Sequence, residues 1–139
     1  MRGIDYYLPL RSETKIYQRR KVSVEKPMFP GYFFTSFDGK QRVLLLESNH
    51  ILSILEPSSE DALRHQLEQI RLALSVDSTL GAVAAVSEGR RVRIRGGIFM
   101  GIEGVVESTQ KVTSVRLNVD MIGQAVSVEV DRDFVELID

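Results

Sequence analysis

The side chains of this 139-residue chain that could do covalent chemistry are few and poorly placed for it. There are no cysteines, which excludes disulfides, thiol nucleophiles and Cys-based zinc sites. His50 and His65 alone cannot build a multi-histidine metal centre. Ser58, Ser59 and His65 are near in sequence, but the serines stand where a helix N-cap belongs and His65 falls on the exposed face of the helix that follows. Glu60 and Asp61 read as a pair matched to the helix dipole, not as an acid–base dyad. There is no Walker lysine motif and no glycine-rich dinucleotide fingerprint after a strand, and Gly96-Gly97 is a β-turn device. The expectation is a protein that is not an enzyme and needs no cofactor.

Binding chemistry is better represented. Residues 11–26 carry Arg11, Lys15, Arg19, Arg20, Lys21 and Lys26 against Glu13 and Glu25, a local excess of four positive charges in a chain whose net charge is −1. Such a patch reads either as a solvated face or as a phosphate-contacting segment whose binding weakens with salt. Residues 28–37 are the most aromatic stretch, with Phe29, Tyr32, Phe33, Phe34 and Phe37 around a Pro30-Gly31 turn. In an extended strand Tyr32 and Phe34 share one face, and Phe33 and Thr35 the other. One set belongs in a core and the other must meet a helix or a partner. A second basic set, Arg91, Arg93 and Arg95, lies in a segment from Glu88 onward with seven basic and nine acidic residues, which favours a solvated face there.

The elements that position these residues change character along the chain. Residues 4–10 are β-leaning, residues 11–26 suit a β-hairpin arm or an ordered loop, and Tyr32 to Phe37 read as a strand. Residues 41–47 are apolar enough for helix or strand, and residues 51–55 suggest a short buried strand. Leu63, Leu67, Ile70 and Leu74 make one apolar stripe of an amphipathic helix, leaving Arg64, Glu68 and Arg71 outside it. Residues 76–87 are small-residue-rich and read as a linker, with Leu80, Val83 and Val86 able to pack. From Glu88 the period becomes two: Val92 and Ile94 alternate with arginines, and Val126, Val128 and Val130 with Ser127 and Glu129. Several short strands with one apolar face must close or pack, for which a small five-stranded barrel is the natural solution. No apolar run approaches the ~20 residues that span a bilayer, and the opening residues lack the apolar core of a secretory signal. A cytoplasmic protein without membrane contact is expected.

Residues 89–107 (GRRVRIRGGIFMGIEGVVE) resemble a KOW motif, with Gly97, Phe99, Gly101 and Gly104 at the characteristic positions and Ile98 where proline is common. Residues 117–130 resemble the closing strands of NusG-type C-terminal domains, and residues 29–34 (FPGYFF) the central strand of the NusG N-terminal (NGN) domain. The order of elements also fits, so the resemblance to NusG-like factors, nearest to the specialised RfaH-like branch, covers essentially the whole chain. It implies an α+β fold: a truncated NGN-type antiparallel sheet with helices over residues 1–75, a linker over 76–87, and a small all-β SH3-like KOW barrel over 88–139. The first strand and long helix of the family's NGN domain have no counterpart before Ile4. Their loss would expose a sheet edge and apolar surface, which a dimer or an element swap would cover.

The same resemblance implies a transcription elongation and antitermination factor. Phe29, Tyr32, Phe34 and Ile51 would form an apolar site for the clamp helices of the largest subunit of RNA polymerase. Holding both sides of the cleft would disfavour the open, paused clamp. Arg11, Lys15, Arg19, Arg20 and Lys21 would contact DNA. Phe99, Met100, Met121 and Ile122 would present an apolar rim to a small-subunit ribosomal protein or to Rho. The competing reading is a ribosome- or RNA-associated KOW protein that never touches polymerase.

Overall fold

A computed structural model describes residues 5–36, 38–48, 53–108 and 113–138. Strands β1 (Asp5–Tyr7) and β4 (Phe34–Ser36) pair antiparallel as a short two-stranded sheet. Between them β2 (Leu10–Tyr17) and β3 (Arg20–Pro27) form a long hairpin whose register runs from Leu10 opposite Pro27 to Tyr17 opposite Arg20. The aromatic strand is thus shorter than expected, because Tyr32 and Phe33 precede it after the turn at Gly31.

Residues 41–47, open between helix and strand, belong to α1 (Gly39–Glu47). A capping box explains the outcome: the Gln41 N–H donates to Asp38 Oδ1 at 2.8 Å, and the Asp38 N–H donates to Gln41 Oε1 at 2.8 Å. The strand expected at 51–55 lies partly outside the described residues, and Ser53 to Leu55 have no regular structure. Helix α2 (Glu60–Val76) begins at Ser59, whose hydroxyl accepts the Ala62 N–H at 3.2 Å, with Glu60 and Asp61 in its first turn.

Within the segment expected as a linker, Ala82–Ala84 form strand β5, which pairs with β9. Asn118 fixes the next residues: its Nδ2 donates to the Val86 carbonyl at 2.8 Å and its Oδ1 accepts the Val86 N–H at 3.2 Å. Strands β6 (Arg91–Ile94), β7 (Glu103–Ser108), β8 (Thr113–Val119), β9 (Gln124–Val130) and β10 (Val135–Leu137) follow. The antiparallel sheet has the order β10-β6-β7-β8-β9-β5, so the five strands expected are joined by a sixth at the β9 edge. Alternation holds in β6, where Val92 and Ile94 are buried and Arg91 and Arg93 exposed.

One hydrophobic cluster spans both halves of the chain. Met28, Phe29, Ile70 and Ala73 are buried together with Val92, Ile94, Val115, Leu117, Val126 and Val128. Helix α2 provides the bridge by packing on β8 and β7. Arg64, Glu68 and Arg71 are exposed as its stripe predicts, while Gln69 is buried beside Ile70.

Candidate interaction surfaces

The aromatic segment splits between core and surface. Phe29 is 1% exposed and belongs to the core, and half-buried Phe34 packs against the same cluster. In the β1–β4 register Phe34 lies opposite Tyr7, so these two share the inner face, and Tyr6 shares the outer face with Thr35. Tyr7 sits near Arg71 and Glu68 of α2, and burial pushes its hydroxyl pKa up. Tyr6 (74% exposed), Tyr32 and Phe33 (47%) are the exposed aromatics of β1 and the aromatic segment, and α1 exposes Val43, Leu44 and Leu46. Tyr6 and Phe33 were not among the expected binding residues. Their signal was present in the aromatic runs, but the face of Tyr6 follows only from the β1–β4 register and the exposure of Phe33 only from the fold. Ile51 lies outside the described residues.

The basic segment is the β2–β3 hairpin, and residues 14–23 are exposed on both of its faces. Cross-strand partners share a face, so the register sorts the charges. Arg11, Lys15 and Arg20 stand on one face, joined by Lys26; Lys21 stands on the other, and Arg19 lies in the turn. At the base of the charged face Glu13 pairs with Arg11 and, at 3.0 Å, with Lys26. Hydrogen bonds from Lys26 and then Arg11 hold the Glu13 carboxyl below its usual range, and the Glu13 contact chiefly raises the Lys26 pKa. The Lys15 pKa is lowered, first by its contact with the Lys26 amine.

The C-terminal rim is also divided. Phe99 is buried in the core, because Met100, Gly101 and Ile102 turn back onto β6: the Gly101 N–H donates to the Ile94 carbonyl at 2.7 Å and the Ile94 N–H to the Ile102 carbonyl at 2.8 Å. Met100 (69% exposed) and its neighbour Ile98 (73%) carry the exposed part. Met121 and Ile122, in a 3-10 turn at Asp120–Ile122, are half-buried against the core. Helix α2 lies beside that turn: Gln66 Nε2 donates to Asp120 Oδ2 at 2.7 Å, and Gln66 Oε1 accepts the Asp120 N–H at 3.1 Å. His65 lies 4.0 Å from Glu103, which is also 3.8 Å from Arg93. Gln66 and Gln69 escaped the sequence reading because polar residues inside an amphipathic helix carry no periodic signal.

Among the described residues no three His, Asp or Glu side chains cluster as metal ligands do, and no helix is long and apolar enough to cross a membrane. No curated protein matches the chain. Residues 1–96 match the family described as "Transcription termination factor nusG". That match spans more than two thirds of the sequence and takes in the hairpin, the aromatic segment, both helices and β5 and β6, so the chain belongs to the NusG family.

Proposed function

We propose that this chain is a transcription elongation and antitermination factor that binds RNA polymerase through its N-terminal half, as an NGN-type unit, and a second protein through its C-terminal sheet, as a KOW-type unit. The observation that carries this reading is the exposure of the aromatic side chains of Tyr6, Tyr32 and Phe33 within the segment matched to the NusG family. Amphipathic aromatics around a partner's helical tip suit a binding hot spot. The clamp helices of the largest subunit are the proposed target, with the basic hairpin directed at DNA of the transcription bubble. Exposed Ile98 and Met100 support a separate apolar contact, for which a small-subunit ribosomal protein or Rho is the proposed partner.

Pull-down of core RNA polymerase by the full chain tests the reading. The wild type is expected to retain polymerase with little dependence on salt. Tyr32→Ala with Phe33→Ala should weaken capture at least about tenfold. Tyr32→Ala with Phe34→Ala is less diagnostic, because Phe34 also packs against the core. A wild-type chain that captures no polymerase overturns the reading.

A further inference from the structure

The six-stranded sheet ends at β5, which has β9 on one side and no strand of the described residues on the other. On the paired side the Ala85 N–H donates to the Gly123 carbonyl at 3.0 Å, which fixes the alternation of the ladder. Val83 therefore turns its N–H and carbonyl toward β9, and Ala82 turns both away from it. Neither group of Ala82 has a hydrogen-bond partner among the described residues. An edge position of this kind is a template for another extended chain.

Ala82 lines a groove of about 460 Å³ that runs between β5 and the base of the β2–β3 hairpin. The Ser12 N–H donates to the Ser78 carbonyl at 2.7 Å, and this bond holds β2 beside the chain that leads into β5. Gly81 and Ala82 leave room over the edge, and Pro27 and Pro30 line the groove without an N–H of their own to offer. Arg11 and Lys26 also line it, and both pair there with Glu13, so two cations share one carboxylate. Arg11 Nε is buried and has no hydrogen-bond partner among the described residues. The groove thus combines a free ladder position with donors that a second carboxylate would satisfy. A nucleic-acid strand would use the cations alone, and no aromatic side chain lines the groove to stack on a base. An extended peptide uses both features.

We propose that β5 is a peptide-docking edge: an extended acidic segment of a partner protein adds as a strand at Ala82 and places an Asp or Glu carboxylate against Arg11 and Lys26. Main-chain bonds to Ala82 supply the attachment, and the cations select for the carboxylate. Glu13 occupies part of the cationic end and competes with the incoming carboxylate for both partners. The site uses none of the aromatic residues assigned above to polymerase, and neither Ile98 nor Met100, so it does not rest on that reading.

Selection of a displayed library of random peptides, each about eight residues long, against the full chain tests this. Enriched peptides should carry an acidic residue, and the strongest binder, made with a fluorophore, is then followed by anisotropy. Exchanging its carboxylate for the amide should weaken binding about tenfold. Ala82→Pro removes the outward N–H without touching the β9 side of the ladder, and should weaken binding by a similar factor. Lys26→Gln should weaken binding, whereas Lys21→Gln, the same charge change on the opposite face of the hairpin, should not. Glu13→Gln should tighten binding because it leaves both cations uncompensated, an outcome that damage to the fold would not produce. Bound peptide should also slow amide exchange at Ala82, the mark of strand addition. Failure to enrich any peptide overturns the proposal, as does enrichment without acidic residues or binding indifferent to both Ala82→Pro and Lys26→Gln. A DNA oligonucleotide that displaces the peptide and is itself weakened by Ala82→Pro also overturns it. No polymerase is present, so failure here and failure of the polymerase pull-down are separate results.

Discussion

Gln69 of α2 accepts the backbone N–H of Glu103 through its side-chain carbonyl at 2.8 Å, tying the helix to the first residue of β7. Gln69 is buried, so removing its carbonyl leaves a donor at the helix–sheet junction without its partner. Gln69→Ala is therefore expected to cost about 1–3 kcal/mol. Gln66→Ala, which removes the exposed contacts to Asp120, should cost less. Urea denaturation of the two variants checks the order, and equal effects would remove Gln69 from its proposed role.

The shared core predicts a single cooperative transition. Ile70 of α2 has no exposed surface and lies in the same cluster as Val115 and Leu117 of β8. Unfolding followed by tyrosine fluorescence, which reports on the N-terminal half where all four tyrosines lie, should coincide with unfolding followed by far-UV circular dichroism. Ile70→Ala should lower both midpoints together, at a cost of about 2–5 kcal/mol. Two separate transitions would show that the halves fold independently.

Much of this architecture was legible in the residues, for identifiable reasons. Ser59 and the Leu63–Leu74 stripe announce α2 because capping and a 3.6-residue period act locally. Val92 and Ile94 announce β6 through strict alternation. Strand β5 was not legible: three residues of Ala, Val and Ala have no side-chain signature, and pairing with β9 is a long-range event. Phe29 and Phe99 both follow or adjoin turn residues, and local sequence cannot say whether such an aromatic folds inward. The division of Lys15 from Lys21 depends on the hairpin register, and a Gln-Arg turn lacks the Asn-Gly signal that would have revealed it.

That turn is itself testable. Gln18 and Arg19 both have positive φ, 47° and 67°, in the two-residue connection between Tyr17 and Arg20. Both are side chains that the left-handed region disfavours by about 1–2 kcal/mol each. Gln18→Asn with Arg19→Gly should relieve part of this and slow amide exchange along the hairpin. Faster exchange would argue against the left-handed turn.

The Glu13 carboxylate gives the hairpin base a pH dependence of defined sign. Its pKa is lowered from 4.5 in the folded chain, chiefly by the Lys26 hydrogen bond and then by Arg11. Stability from these contacts is therefore present above pH 4.5 and lost as pH falls through the lower folded value. A carboxyl-carbon NMR titration of Glu13 should show a midpoint below 4.5, moving upward in Lys26→Gln. An unchanged midpoint in that variant would remove Lys26 as the principal cause.

Gly104 sets the closest approach within the C-terminal sheet. A Cβ at this position would lie 2.6 Å from the Arg116 carbonyl oxygen and 2.7 Å from Val115 Cγ1, so β7 can lie against β8 in this register only if residue 104 has no side chain. The backbone oxygen cannot step aside without disturbing the β7–β8 ladder, in which Val105 is paired with Arg116. Gly104→Ala is therefore expected to destabilise by about 2–3 kcal/mol through overpacking. Gly101 offers the contrast: its φ is +93° but a Cβ there meets nothing within 4 Å, so Gly101→Ala carries backbone strain without a clash. That strain should cost about 1–2 kcal/mol. The two mechanisms separate by site of damage: Gly104→Ala should raise amide exchange along β7 and β8, whereas Gly101→Ala should perturb the turn between β6 and β7 and leave that ladder protected. Exchange along β7 and β8 unchanged in Gly104→Ala would contradict the close approach.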